Sequence, residues 1–92
     1  MILTANYMIC GFFNIPMAQN EQIGAHGEFI KVDLLGTISN ASIQTSINRT
    51  SNNNGTPRIY LGAEYTNWLS LNHQVGDNLQ IHIVSPSHIQ LS

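Results

Sequence analysis

The stretch Arg58-Ile-Tyr-Leu61-Gly62-Ala-Glu-Tyr-Thr-Asn-Trp-Leu-Ser-Leu71-Asn-His-Gln-Val-Gly76-Asp77-Asn-Leu-Gln-Ile-His-Ile-Val84 decides how this chain is read. Ile59 and Leu61 alternate with Arg58 and Tyr60, which predicts a short strand with one buried face. Tyr65, Trp68 and Leu69 then fall at i, i+3 and i+4, so residues 63–71 read as a short amphipathic helix, with Trp68 anchoring one end of the core. Val75 is expected to plug inward just before Gly76-Asp77. That pair reads as a turn: Gly supplies a positive φ, and Asp bonds nearby backbone amides. Leu79, Ile81 and Ile83 face inward against Gln80 and His82, a second strand.

Upstream, the same alternation continues. In Glu28–Leu35, Ile30, Val32 and Leu34 share one face and Lys31 and Asp33 the other. Ala41–Ile47 places Ile43 and Ile47 inward, and the two strands form a hairpin through residues 36–40. Asn6–Ile15 is apolar and aromatic, predicting a first strand with a bulge at Gly11, ended by Pro16. Met17–Gly27 reads as a polar loop. Asn48–Pro57 has no apolar residue and contains the turn dipeptide Asn54-Gly55, so it reads as a second loop. Ile89 and Leu91, after Pro86, predict a last short strand.

The chain has 92 residues, enough for one domain spanning 1–92. Its charged fraction is 9% and its hydrophobic fraction 42%, which excludes disorder and points to a mainly β domain with uncharged polar outer faces. The net charge of −2 removes any global attraction to phosphate or anionic lipid. Yet residues 38–59 contain no acid and hold both arginines. Cys10 is alone, so no internal disulfide forms; it reads as a small buried hydrophobe, and a free thiol favours a reducing, cytoplasmic setting. Met1–Ile15 lacks the basic start of a signal peptide, and no segment is long enough to span a membrane. Asn-x-Ser/Thr triplets at Asn40, Asn48 and Asn54 read as chance in an Asn-rich chain.

Trp68, Leu71, Gly76, Asp77 and the Leu79/Ile81/Ile83 alternation resemble the closing half of the DNA-binding pseudobarrel domains. That group includes plant transcription-factor domains of the auxin-response type and the DNA-recognition domains of certain restriction endonucleases. The detailed match covers about a third of the chain; the front half agrees in strand pattern and loop placement. The Gly-Asp element is also similar to that of swapped-hairpin transition-state regulators and of an uncharacterised bacterial barrel family, so it marks a class of barrels and not one function. The resemblance implies a small closed mixed β-barrel (a pseudobarrel) with one or two short helices. It further implies a double-stranded DNA partner, a fused or associated nuclease, and no catalysis or cofactor of its own.

In the pseudobarrel group two loop-bearing arms grip the major groove. By position, the first arm here carries Gln19, Asn20, Gln22, His26 and Lys31. The second carries Arg49, Asn52, Asn53, Asn54, Arg58 and Tyr60. Arg suits bidentate contact with guanine, and Asn or Gln with adenine. Glycines 24, 27 and 55 are expected to let backbone amides approach phosphates. The plainer alternatives are a solvated hairpin loop at 48–57 and arginines that neutralise Glu64 or Asp33. His26, His73, His82 and His88 match no zinc spacing, and no Gly-x-Ser-x-Gly, phosphate loop or paired carboxylate appears. The competing function is a non-catalytic barrel that binds protein or forms a homodimer.

Overall fold

Apolar residues at every second position build the sheet, and two β-branched hairpin strands form its centre. The structure is a computed structural model describing residues 1–92. In chain order it contains β1 (Phe12–Asn14), a 3₁₀ turn (Met17–Gln22), β2 (Phe29–Leu35), β3 (Asn40–Asn48), β4 (Arg58–Tyr60), α1 (Ala63–Asn72), β5 (Ile81–Ser85) and β6 (His88–Leu91). The six strands form one mixed sheet in the order β1-β4-β3-β2-β6-β5. All neighbours are antiparallel except β2 and β6, which run parallel.

Register carries the alternation from strand to strand. Val32 lies opposite Ile43 on β3 and Ile89 on β6, and Leu34 opposite Ala41 and Leu91. These side chains line the inner face with Phe13, Ile47 and Ile59. Tyr65, Trp68 and Leu69 enter the same core from α1, as their helical spacing predicts. Each such side chain removed from water contributes about 1.5–3 kcal/mol. On the outer face, Asp33 stands opposite Ser42 and Gln90, and Lys31 opposite Gln44 and His88.

The sheet is a half-barrel, which corrects the expectation of a closed one: β1 and β5 are edges and do not pair with each other. The cause lies in residues 4–11. Instead of extending β1 towards Asn6, this segment turns, and the amides of Met8 and Cys10 donate to the carbonyls of Thr4 and Asn6. Those groups are then lost to any ladder that could close the barrel. Residues before this turn pair elsewhere: the Leu3 amide donates to the Asp77 carbonyl at 2.8 Å, and Gly76 donates back to Leu3 at 2.7 Å.

Three smaller expectations also change. Residues 17–22 form a 3₁₀ turn, not an irregular loop. Val75 is 61% exposed and does not plug the core; Leu3 and Leu79 are the fully buried residues on either side of that pairing. Cys10 is half-buried. The Gly76-Asp77 turn is as read: Gly76 has φ 96°, and the Asp77 carboxylate accepts from the Gln74 amide at 3.1 Å and meets His73 Nδ1 at 3.1 Å.

At the opposite hairpin, Asn72 in the last turn of α1 holds residues 36–39. Its Oδ1 accepts from the Ile38 amide at 2.9 Å, and its Nδ2 donates to the Trp68 carbonyl at 2.9 Å. Trp68 Nε1 donates to the Ser39 carbonyl at 3.1 Å. The helix is thereby fixed to the β2–β3 turn by directional bonds as well as by packing.

Candidate functional site

Two loops meet at one end of the half-barrel. The first runs from Pro16 to Glu28, where proline ends the β1 ladder for want of an N–H. The second runs from Arg49 to Pro57, between β3 and β4. Its asparagines fold it through short side-chain turns: Asn48 Oδ1 accepts from the amides of Thr50 and Ser51, and Asn54 Oδ1 accepts from the Thr56 amide and hydroxyl.

Arg49 ties the loops together. Its Nε donates to the Gly24 carbonyl at 2.9 Å. Its Nη2 donates to the carbonyls of Asn20 at 3.0 Å and Ile23 at 2.8 Å. Its Nη1 donates to Asn20 Oδ1 and, at 3.2 Å, to the Gly55 carbonyl. A guanidinium has five N–H donors, and these bonds use all of them. The Arg49 amide also donates to His26 Nδ1 at 3.0 Å. Arg49, Asn20 and His26 therefore organise the loops, and the guanidinium has no donor left for a bidentate base contact.

Arg58 is placed differently. It lies on β4 facing outward, because its neighbour Ile59 is fully buried. Its Nε donates to Asn14 Oδ1 at 3.1 Å, its Nη2 to Asn52 Oδ1 at 3.0 Å, and its Nη1 reaches the Tyr60 hydroxyl at 3.5 Å. Three of its five donors are so engaged and two remain. The guanidinium carbon stands 4.2 Å from the centroid of the Phe12 ring, and the Phe12 and Tyr60 rings are 5.4 Å apart. The bond with Arg58 favours the Tyr60 phenolate and draws its pKa below the usual phenol value.

Neither arginine has a carboxylate partner. The carboxylate contacts of basic side chains are the Lys31–Asp33 ion pair and the hydrogen-bonded pairs His73–Asp77 and His88–Asp33. The reading of Arg49 and Arg58 as neutralisers of Glu64 or Asp33 is therefore set aside. Neither guanidinium touches a carboxylate, although Glu21 and Glu28 lie on the first loop.

Beside Arg58 the carboxamides enclose a shallow polar hollow of about 360 Å³, lined by Asn14, Asn52, Asn53, Asn54 and Thr56. Asn52 is committed inside it, donating to Asn14 Oδ1 at 3.0 Å and to the Thr56 carbonyl at 3.1 Å. Asn53 and Gln22 are exposed, with carboxamides free of the rest of the chain; Gln19 is half-exposed. On the other side of Arg58 a groove of about 560 Å³ runs past Phe12, Ile9 and Tyr7 towards Thr4.

Of the residues singled out in the sequence, the structure brings together Gln19, Asn20, Gln22, His26, Arg49, Asn52, Asn53, Asn54, Arg58 and Tyr60 at this end. Lys31 stands apart, on β2 and two strands from Arg58, paired with Asp33 at 3.8 Å. The glycine amides expected to meet phosphate are occupied: Gly24 donates to Pro86, Gly27 to Ile47 and Gly55 to Asn52. Asn14 and Phe12 were missed by sequence reasoning. They reach Arg58 and Tyr60 only because β1 pairs with β4 in the register Asn14↔Arg58 and Phe12↔Tyr60.

A second polar cluster lies on the outer face of β2, β3 and β6. Asp33 Oδ2 meets His88 Nε2 at 2.7 Å and Gln90 Nε2 at 3.3 Å, while Oδ1 accepts from the Ser42 hydroxyl at 3.0 Å. The His88 bond, with those from Gln90 and Ser42 and the charge of Lys31, holds the Asp33 carboxyl down to about 2, against the smaller opposing effect of burial. No three His, Cys, Asp or Glu side chains converge anywhere in the chain as a metal-ligand group. No helix is long and apolar enough to cross a membrane. No protein-family model, curated protein or solved structure matches this chain.

Proposed function

We propose that this chain is a double-stranded DNA recognition module that reads base edges with its two loops, as the recognition element of a restriction or regulatory system. The observation that carries this is Arg58. It is an arginine with no carboxylate partner and two free donors, on a β-strand, bonded to the carboxamides of Asn14 and Asn52 at the side of the polar hollow. Those are the groups that distinguish guanine and adenine by paired hydrogen bonds. Arg49 supports it from behind by fixing the separation of the loops, so that Asn53, Gln19 and Gln22 are presented from a preorganised frame. The scarcity of cations predicts weak nonspecific binding and a shallow dependence on salt, since few phosphates are neutralised.

The free edge of β5 favours a second function, pairing with a protein partner or another copy. The strand pairs only with β6, and Val84 on it is 49% exposed. One experiment separates the two. Duplexes selected from a random pool by the wild-type protein are titrated against Arg58→Ala. Loss of discrimination in a folded Arg58→Ala protein supports base reading; equal affinity for all duplexes by the wild type, with dimers in light scattering, supports the edge.

A further inference from the structure

We propose that the groove between Arg58 and Tyr7 holds a single unstacked nucleobase, a subsite that extends the DNA reading above and rests on it. Its shape and chemistry carry the inference. A volume of about 560 Å³ suits one small planar ligand. One wall is the Phe12 ring with the Arg58 guanidinium stacked 4.2 Å from its centroid. Ile9, 77% exposed, and half-buried Tyr7 supply apolar surface that no other part of the chain covers. Two carboxamides also line it, Asn6 and Asn14; the Asn14 oxygen is held by Arg58 and Asn52, which leaves its Nδ2 and the Asn6 amide to meet the polar edge of a base.

The charge pattern selects the ligand further. No acidic side chain lines the groove, and Arg58 brings a positive charge that touches no carboxylate, with two donors unused. A purely apolar ligand leaves the Arg58 charge unmet, and a simple anion leaves Ile9 uncovered. A base joined to a phosphate satisfies both, the base against Ile9 and the side of Phe12 that the guanidinium leaves open, the phosphate drawn by the Arg58 charge. Stacking on an aromatic ring is indifferent to base identity, so this subsite adds affinity for an extruded or unpaired nucleotide and leaves discrimination to Arg58 and the loops.

The test uses the intact protein and nucleoside 5′-monophosphates, followed by methyl and aromatic NMR spectra. Saturable shifts at Ile9, Tyr7 and Phe12, absent with ribose 5-phosphate, are expected. Phe12→Ala should weaken binding about tenfold, the loss of one base–aromatic stack. Ile9→Asp, at an exposed position that folding does not need, should abolish it by placing a carboxylate where the base and phosphate lie. Equal shifts with ribose 5-phosphate reduce the groove to an anion contact and overturn the proposal, as does the absence of shifts with every nucleotide. The loop reading is scored separately on a fully paired duplex. If that duplex binds and Ile9→Asp responds to nucleotides like the wild type, the groove fails while the loops stand. If nucleotides bind and no duplex does, the loops fail and a nucleotide site remains.

Discussion

The Nη2 of Arg49 donates to the main-chain carbonyl of Asn20 at 3.0 Å, joining residues 29 apart in sequence. This bond belongs to a set of five that spends the whole guanidinium on the loops' own backbone and on one asparagine. An arginine in an Asn-rich loop looks like a reader of bases. Here it is the frame, and Arg58, nine positions on, keeps two donors unused.

Arg49→Ala should therefore be a stability variant. It strips hydrogen bonds from four carbonyls and Asn20 Oδ1 and leaves some of them without a partner, a cost of about 2–4 kcal/mol. In a domain of this size that lowers Tm by roughly 10 °C or more. Arg49→Lys keeps the charge but has only three donors without the planar fork, so it should recover part of the loss. Thermal unfolding by circular dichroism checks both. An unchanged Tm in Arg49→Ala contradicts the clamp.

Tyr65→Phe should stabilise the protein. The Tyr65 hydroxyl is buried without a hydrogen-bond partner, beside the Phe13 ring at 6.0 Å between centroids. Burial pushes its pKa well above the usual phenol value. Removing the oxygen relieves an unmet desolvation cost of about 1 kcal/mol. The sign with pH follows: the unfolded phenol ionises first, so the wild type loses stability as pH rises above the usual tyrosine range. Tyr65→Phe should lose less over that window, as denaturant titrations at pH 8 and pH 11 can show.

Asp33 should contribute to the acid limb of the stability profile. Its folded pKa of about 2 lies below the usual 3.8, so its contribution to stability is full above that ordinary value and fades as pH falls towards 2. Asp33→Asn should flatten the fall in Tm between pH 5 and pH 2. His88→Ala, which removes the largest cause of the shift, should flatten it partly. A wild-type slope retained in both variants places the acid sensitivity elsewhere.

Much of this architecture was readable from periodicity. The i, i+3, i+4 spacing of Tyr65, Trp68 and Leu69 gave a helix whose buried face is those three residues, and the alternation in residues 28–47 gave the central hairpin. Local patterns report which face of an element is apolar. They do not report whether a sheet closes, because that depends on where the backbone groups of residues 4–11 find partners. The same limit hid the site's division of labour. Arg49 and Arg58 look alike in sequence; they differ because one faces the carbonyls of a distant loop and the other lies on a strand beside Asn14 and Phe12. Val75 misled because an apolar residue before a turn is no guide to burial when Leu3 already fills the adjoining space.

Gly36→Ala should be costly although Gly36 has an ordinary backbone angle. A Cβ there overlaps Asn72 Oδ1 and meets the Ser39 carbonyl at 2.7 Å. The overlap pushes away the oxygen that accepts from the Ile38 amide, at a cost of about 1–3 kcal/mol. Asn72→Ala removes one of the two obstacles, so the substitutions should be non-additive in a double-mutant cycle. Simple additivity contradicts the described contact.

The central claim is that a chain of net charge −2 reads duplex DNA through a few base contacts centred on Arg58. Its most direct test is selection from a randomised duplex pool at low salt, followed by anisotropy titration of the enriched duplex across salt. The account predicts a sharp consensus, a shallow salt slope, and loss of the preference in Arg58→Ala with folding intact. No enrichment by the wild-type protein even at low salt contradicts it.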